Sequence, residues 1–223
     1  MFRASGQPRR LRSGPPVFNL PPVTKGLAIG LLAIHLLLHV LLPHLLGPAV
    51  EWLAFSPAAF LAQFQPDHSG RTSLHEWGTL LSHMALHADW PHVILNTGFL
   101  LAIGSAVERA IGRPAFVLFL AITGAAGALT LTALVGPAPV IVIGASGAVY
   151  GCLGAATRLY AWRLGGLKAA AGFVAVLLIL NVLLGFVGFG DTAGSAIAWQ
   201  AHLGGFIAGL VLILALPRRV APG

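Results

Sequence analysis

The sequence predicts an all-α membrane protein, a bundle of six transmembrane helices with a long first external loop. Three observations carry this. Of 223 residues, 57% are hydrophobic and only 9% charged, whereas a soluble domain carries about 25% charged residues. Six apolar runs reach or approach the ~20 residues that a bilayer core requires: 26–46, 91–108, 114–135, 143–162, 167–188 and 197–216. The basic residues sit at the ends of those runs rather than within them.

Taken in order, residues 1–24, with "SGQPRRLRSGPP", read as a flexible basic tail lying against the cytoplasmic leaflet. The first apolar run begins too far in and is too long for a cleaved signal peptide, and no clear cleavage site follows it, so it reads as a retained anchor. Residues 25–217 then form one membrane domain, and 218–223 a short second tail. The loop of about 47–90 carries Trp52, Phe55, Phe60, Phe64, Trp77 and Trp90. A loop so long and aromatic is expected to pack at the lipid interface rather than float in water. The other connections are short, and there is no internal repeat.

Lysine and arginine set the direction. With the N-terminus cytoplasmic, Arg3, Arg9, Arg10, Arg12, Lys25, Arg109, Arg113, Arg158, Arg163, Lys168, Arg218 and Arg219 all fall inside, and only Arg71 outside. Both termini are therefore expected in the cytoplasm, in a multi-pass protein of a bacterial inner membrane. The net charge of +7 does not point to nucleic acid, because no aromatic-rich basic patch accompanies it. The lone cysteine, Cys152, reads as a small core residue.

Spans 2, 4 and 6 share one direction, and each opens with polar residues that are expensive in hydrocarbon. Span 2 brings His92 and Asn96, span 4 Ser146 and Tyr150, span 6 His202. Taken singly, a membrane serine usually bonds its own backbone and a histidine is often a satisfied core residue. Together they put a nucleophile, a base and a donor amide at one depth. His92 and Asn96 are i, i+4, as are Ser146 and Tyr150, so each pair shares a helical face. Gly147, Gly151 and Ala155 form a small-residue stripe on span 4, and Gly205 with Gly209 another on span 6. Such stripes let helices approach closely in lipid. Close approach brings His202 towards Ser146, although the glycines alone mean only packing.

A serine hydroxyl needs a base to become a nucleophile, and His202 is the candidate. No acid follows it in a recognisable position: Asp191 lies eleven residues upstream and Glu108 at the wrong end. A Ser–His dyad is expected, with the Tyr150 ring stacked on the imidazole. Donors for the oxyanion are the Ser146 backbone N–H, the Asn96 amide and the His92 imidazole. The first requires a non-helical turn at "GAS", which Gly144 permits. Irregular backbone at this depth must line a wet cavity, and hydrolysis needs the same water.

"GASG" (144–147), H-x-x-x-N (His92 to Asn96), A-H-x-x-G-x-x-x-G (Ala201 to Gly209), "HADWPH" (His87 to His92) and "AVERAIG" (106–112) resemble the rhomboid intramembrane serine proteases over about residues 75–212. The resemblance implies a six-helix rhomboid-like bundle opening to the extracytoplasmic side and a Ser146–His202 dyad. It implies an oxyanion hole of His92, Asn96 and the Ser146 backbone, with Tyr150 stacked on His202 and His87 holding the first loop. It implies no metal or cofactor. The substrates it implies are membrane proteins cut in or beside a transmembrane segment, often after a small residue and where the helix is weak. Oligomeric state is not written in these motifs. Many members carry a Trp–Arg pair where this chain has Gly78 and Thr79, with Trp77 one residue off.

Three other readings compete. Some relatives are inactive binders of transmembrane clients, having lost the serine or histidine; both are present here. Nine histidines invite a metal or haem site, with His35 and His39 at i, i+4, His44 beyond, and His68, His75 and His83 in the loop. No cysteine or carboxylate joins them at a fixed spacing. A transporter requires intramembrane charges along a path, which the spans lack. The glycine-rich 186–195 is a candidate mobile cap or lateral gate beside span 5.

Overall fold

The computed structural model describes residues 20–65, 73–161 and 199–216, with single positions between 166 and 179. Most of the expected fifth span, the stretch 186–195, Asp191, His68, residues 1–19 and residues 217–223 lie outside the described residues.

Among the described residues the regular structure is helical apart from one isolated β-bridge. Three helices are long and apolar enough to cross a membrane: α1 (Pro22–Leu41), α5 (Trp90–Ile111) and α6 (Arg113–Val135). The first loop holds α2 (Leu46–Leu53), α3 (Pro57–Ala62) and α4 (Ser73–Ser82). Then follow α7 (Ser146–Tyr160) and α8 (Trp199–Ala215).

The first helix starts at Pro22, inside the expected tail, and ends five residues before the expected 46. Proline suits a helix's first position, where its missing N–H costs nothing. The next two backbone N–H groups, of Val23 and Thr24, donate to the Glu108 carboxylate at 3.2 and 2.7 Å, and the Thr24 hydroxyl donates to it at 2.7 Å. A buried carboxylate thus caps the positive end of α1 from 84 residues away. Both α1 and α5 contain a five-residue π-helical stretch, Leu37–Leu41 and Leu100–Gly104.

The fourth span, by contrast, starts later than the expected 143. Residues 142–144 are not helical, because their backbone groups bond elsewhere. Phe55 and Val142 pair as an antiparallel bridge, with N–H to O distances of 3.1 and 2.8 Å, and the Gly144 N–H donates to the His83 carbonyl at 2.9 Å. The first loop therefore grips the segment that leads into Ser146.

Helices α6, α7 and α8 form the centre. A Cβ on Gly205 would meet the Gly147 carbonyl oxygen, and one on Gly209 the Gly151 carbonyl oxygen. The glycine stripes predicted on the two helices thus face each other in parallel register, backbone to backbone. Helix α6 crosses antiparallel, with a virtual Cβ on Gly127 only 2.7 Å from the Ala201 carbonyl oxygen. Below this seam Val93, Val107, Phe116, Phe119, Cys152, Ala155 and Ile213 form a buried core. Cys152 is free and fully buried, as a small core residue should be.

The first loop has a core of its own. Phe55 and Phe60 are buried with Leu80, Ala128 and Val142, while Trp52, Phe64 and Trp77 stay exposed. The loop aromatics thus divide: Phe55 and Phe60 are buried in the cap, Trp90 packs against His35, and Trp52, Phe64 and Trp77 face outward, where aromatic rings suit a membrane interface. The His75 ring hydrogen-bonds the Trp52 carbonyl at 2.8 Å, and the Ser82 hydroxyl donates to the Leu53 carbonyl at 2.8 Å. These are terminal carbonyls of α2, which no further helical turn can satisfy. Thr79, in one of the places that hold Trp–Arg in many rhomboids, is buried and donates to the Glu76 carbonyl at 2.7 Å.

Candidate active site

Ser146 is the first residue of α7. The residue pair ahead of it makes a sharp entry: Gly144 has φ +115 and Ala145 has φ −78, ψ 2. A side chain at Gly144 would be strained at that φ, and its Cβ would lie 2.7 Å from Nε2 of His92. Gly144 is therefore required twice, for the turn and for the imidazole lying over it. The first bond of α7 runs from the Val149 N–H to the Ala145 carbonyl. The Ser146 N–H thus belongs to the unpaired first turn, at the positive end of the helix dipole.

His202 sits one turn into α8 and is buried; Ser146 is partly exposed. The tight seam between the two helices brings Nε2 of His202 to 2.7 Å from Oγ of Ser146. The Tyr150 ring stacks on His202 with centroids 4.3 Å apart and planes 5° from parallel. The i, i+4 spacing predicted this: the tyrosine one turn below the serine lies flat against the serine's partner.

From α5, His92 covers Gly144. The Ala88 N–H points to Nδ1 of His92 at 3.4 Å, which makes Nδ1 the acceptor and leaves Nε2 as the protonated donor. Asp89 caps the same helix, its carboxylate accepting from the His92 N–H at 2.7 Å. Asn96 is buried and uses one amide hydrogen on the His92 carbonyl, 2.9 Å away; its second remains for another acceptor. His87 lies edge-on to His92, centroids 4.9 Å apart. It touches α1 through its backbone, its carbonyl oxygen lying 3.1 Å from Nε2 of His39. The loop is held to α1 there by the peptide of His87, while its ring lies against the Ala85 backbone.

Two loop histidines outside the membrane helices are buried neutral. Desolvation pushes His83 down to about 4, against a hydrogen bond to the Thr79 carbonyl that opposes the shift. Desolvation, reinforced by the neighbouring His92 and His35, pushes His87 down to about 3, against an interaction with the Ala85 backbone that opposes the shift.

The histidines of the metal reading have separate partners. His35 and His39 stack on each other, His44 is exposed and His75 binds the α2 carbonyl. Among the described residues no three His, Cys, Asp or Glu side chains gather as ligands. Glu108 caps α1, eighteen residues along α5 from Trp90, roughly 27 Å at 1.5 Å per residue.

Sequence reasoning missed Phe55 and His83 as the backbone partners of 142–144. One signal was present: "VIVIG" is a β-branched run ending in glycine, which favours extended chain over helix. It also missed the edge-to-face contact of His35 with Trp90, which no local pattern encodes.

Chemically, a hydroxyl in contact with an imidazole can give up its proton on attack. Helix N-terminal amides, a protonated Nε2 and a carboxamide nearby are suited to negative charge.

Residues 74–219 match the Rhomboid domain family. The chain is 34% identical over 151 residues to the rhomboid protease GluP of Bacillus subtilis, covering 66% of this chain but only 28% of that protein. It is 30% identical over 171 residues to YdcA of the same bacterium, covering 74% and 81% respectively. With RHOMBOID-like protein 1 of Arabidopsis thaliana it shares 35% identity over 141 residues, 62% of this chain and 34% of that protein. The chain thus spans about a quarter of GluP and most of YdcA. With the family motifs folded around one serine and one histidine, this integral membrane protein belongs to the rhomboid family.

Proposed function

We propose that the protein is an intramembrane serine endopeptidase that hydrolyses peptide bonds in or beside transmembrane segments of other membrane proteins. The observation that carries this is the 2.7 Å contact between Ser146 Oγ and His202 Nε2, made by two helices that meet through glycine.

In this reading His202 Nε2 takes the Ser146 hydroxyl proton as Oγ attacks the scissile carbonyl carbon. Charge develops on the carbonyl oxygen, and the Ser146 N–H, His92 Nε2–H and Asn96 amide receive it. The imidazolium then gives its proton to the leaving amine, and the C–N bond breaks. Water adds to the acyl-serine, losing a proton to His202, and the intermediate collapses to a free acid and a restored hydroxyl. Tyr150 holds the imidazole plane through both halves. Substrate carbonyls must be freed from helical hydrogen bonds to be attacked, which favours segments rich in helix-weakening residues. The distribution of lysine and arginine supports cytoplasmic termini, so the serine faces the extracytoplasmic side.

The test uses the full chain in proteoliposomes with a panel of single-span substrates. Wild type should cleave at least one, and Ser146→Ala and His202→Ala should each abolish cleavage while leaving substrate crosslinking intact. Failure of wild type across the panel, with crosslinking retained, would favour a non-catalytic client binder.

A further inference from the structure

A thioether seats the first loop on α6. Met84 is the middle residue of the 3₁₀ turn His83–Ala85. A Cβ on Gly124 of α6 would meet its Sδ and lie 3.1 Å from its Cε, so the end of the side chain fills the notch that Gly124 leaves. Gly124 faces α7 too: a Cβ on Gly147, next to Ser146, would lie 3.5 Å from its carbonyl oxygen. On the other side of Met84, the His83 carbonyl accepts the Gly144 N–H at 2.9 Å. One flexible side chain thus ties together the loop, α6 and the turn that opens α7.

The chain has two methionines and one cysteine. Met1 lies outside the described residues, Cys152 is fully buried, and Met84 is half-buried. Met84 is therefore the sulfur of the fold that a small oxidant can reach. It packs against the apolar cluster that includes Phe119, Leu120 and Val149, where a flexible, apolar thioether is at home. Its sulfoxide is polar and chiral, and the added oxygen needs a donor. Helix α6 offers none: its main-chain N–H groups are engaged within the helix, and the Thr123 hydroxyl beside the notch already donates to the Phe119 carbonyl at 2.8 Å.

We propose that Met84 is an oxidative modification site and that its oxidation unseats the loop from α6. The oxidant is a two-electron oxygen donor of the hydrogen peroxide class. The Sδ lone pair forms the new S–O bond as the O–O bond breaks, and the departing hydroxide takes the proton of the transferred oxygen and leaves as water. The thioether loses two electrons and the peroxide gains them. The sulfoxide then leaves the Gly124 notch, the His83 carbonyl moves with it, and the Gly144 turn loses an anchor. Met84 is thus a positioning residue that acts on the oxyanion hole through that turn. The modification and its effect on packing stand on their own; the effect on cleavage rests on the protease reading.

The test treats the full chain in proteoliposomes with graded hydrogen peroxide and locates sulfoxide by peptide mass spectrometry. Met84 should be oxidised while Cys152 stays a thiol, and the melting temperature should fall in step with sulfoxide occupancy. For a cleaved substrate, kcat should fall about ten-fold at unchanged KM, short of the ~100-fold that an ångström of misplacement costs. Methionine sulfoxide reductases, which restore the thioether, should reverse both losses. Met84→Leu, close in volume and without sulfur, should keep its rate through the same treatment, and Met84→Gln, which carries a polar group into the notch, should show the oxidised rate with no oxidant. Met84 left intact while Cys152 reacts overturns the site, as does full oxidation of Met84 with unchanged melting. An equal loss of rate in treated Met84→Leu overturns the positioning role. Sulfoxide at Met84 with lowered melting, in a chain that cleaves nothing before or after treatment, sinks the protease reading and keeps the site. Cleavage that is undiminished with Met84 oxidised keeps the protease reading and overturns the positioning role.

Discussion

The seam between α7 and α8 and the cap formed by α1 with the first loop solve opposite problems. The seam has no side chains where the helices touch: Gly147 faces Gly205 and Gly151 faces Gly209, carbonyl against Cα. The cap is built of rings in contact, Phe55, Phe60 and Trp90 with His35, His39, His75, His83 and His87, and it contains a cavity. The seam fixes a 2.7 Å contact, and rigid backbone contact leaves no slack for it to drift. The cap must hold the 142–144 segment against Ser146 through peptide bonds, and it tolerates open space around them. Precision is thus bought with glycine on one side of the serine and with hydrogen-bonded loop backbone on the other.

The largest effect should come from the seam. Gly205→Val or Gly209→Val drives a branched side chain into a carbonyl of α7 and should cost about 3 kcal/mol of stability. Cleavage by whatever remains folded should fall about 100-fold, since an ångström of misplacement suffices for that. Thermal unfolding in detergent and a cleavage assay normalised to folded protein would read both. A variant that keeps full activity would show that the two helices are not held by this contact.

Gly144→Ala comes next and separates the site from the seam. It should destabilise by only about 1–3 kcal/mol, the cost of a strained backbone, yet push His92 aside and lower kcat by more than ten-fold. Comparable kcat for alanine and glycine would mean that His92 does not sit over this turn during catalysis.

The cap should answer to pH. His83 and His87 stay neutral in the fold, with values depressed to about 4 and about 3, while in the unfolded chain they titrate near 6.5. Above that value neither state takes up a proton, and the stability from burying neutral rings is fully present. As pH falls below it the unfolded chain binds protons that the fold refuses, so stability declines, by about 1.4 kcal/mol per histidine at pH 5.5. The decline continues until the folded values are reached. His83→Gln should flatten the melting-temperature profile between pH 6.5 and 4.5 by about half, and an unchanged profile would show that His83 is hydrated.

The smallest effect should be at the far end of α5. Glu108→Gln keeps the shape of the α1 cap but removes its charge, and should cost about 1 kcal/mol with cleavage of folded protein unaltered. A selective loss of activity would mean that α1 transmits to the site.

How far the sequence could be read follows the same division. Ser146, Tyr150, His92, Asn96 and His202 stand out because polar groups in apolar runs need a reason, and helical spacing assigns their faces. The glycine stripes were legible for the same reason. The start of α1 was not, because its cap is a glutamate from another helix; "PPVTK" alone reads as tail. The late start of α7 depends on Phe55 and His83, contributed by a loop whose folding no local pattern specifies. The contacts of His35 with Trp90 and of His39 with the His87 carbonyl link positions about fifty apart, and each histidine by itself looks like a surface or core residue.

The central claim is that Ser146 is made nucleophilic by His202. The most direct measurement is labelling of the membrane-embedded protein with a fluorophosphonate probe, followed by peptide mapping. The account predicts a single phosphonylated residue, Ser146, and no labelling in His202→Ala. Labelling at another serine, or undiminished labelling of Ser146 without the imidazole, would contradict it.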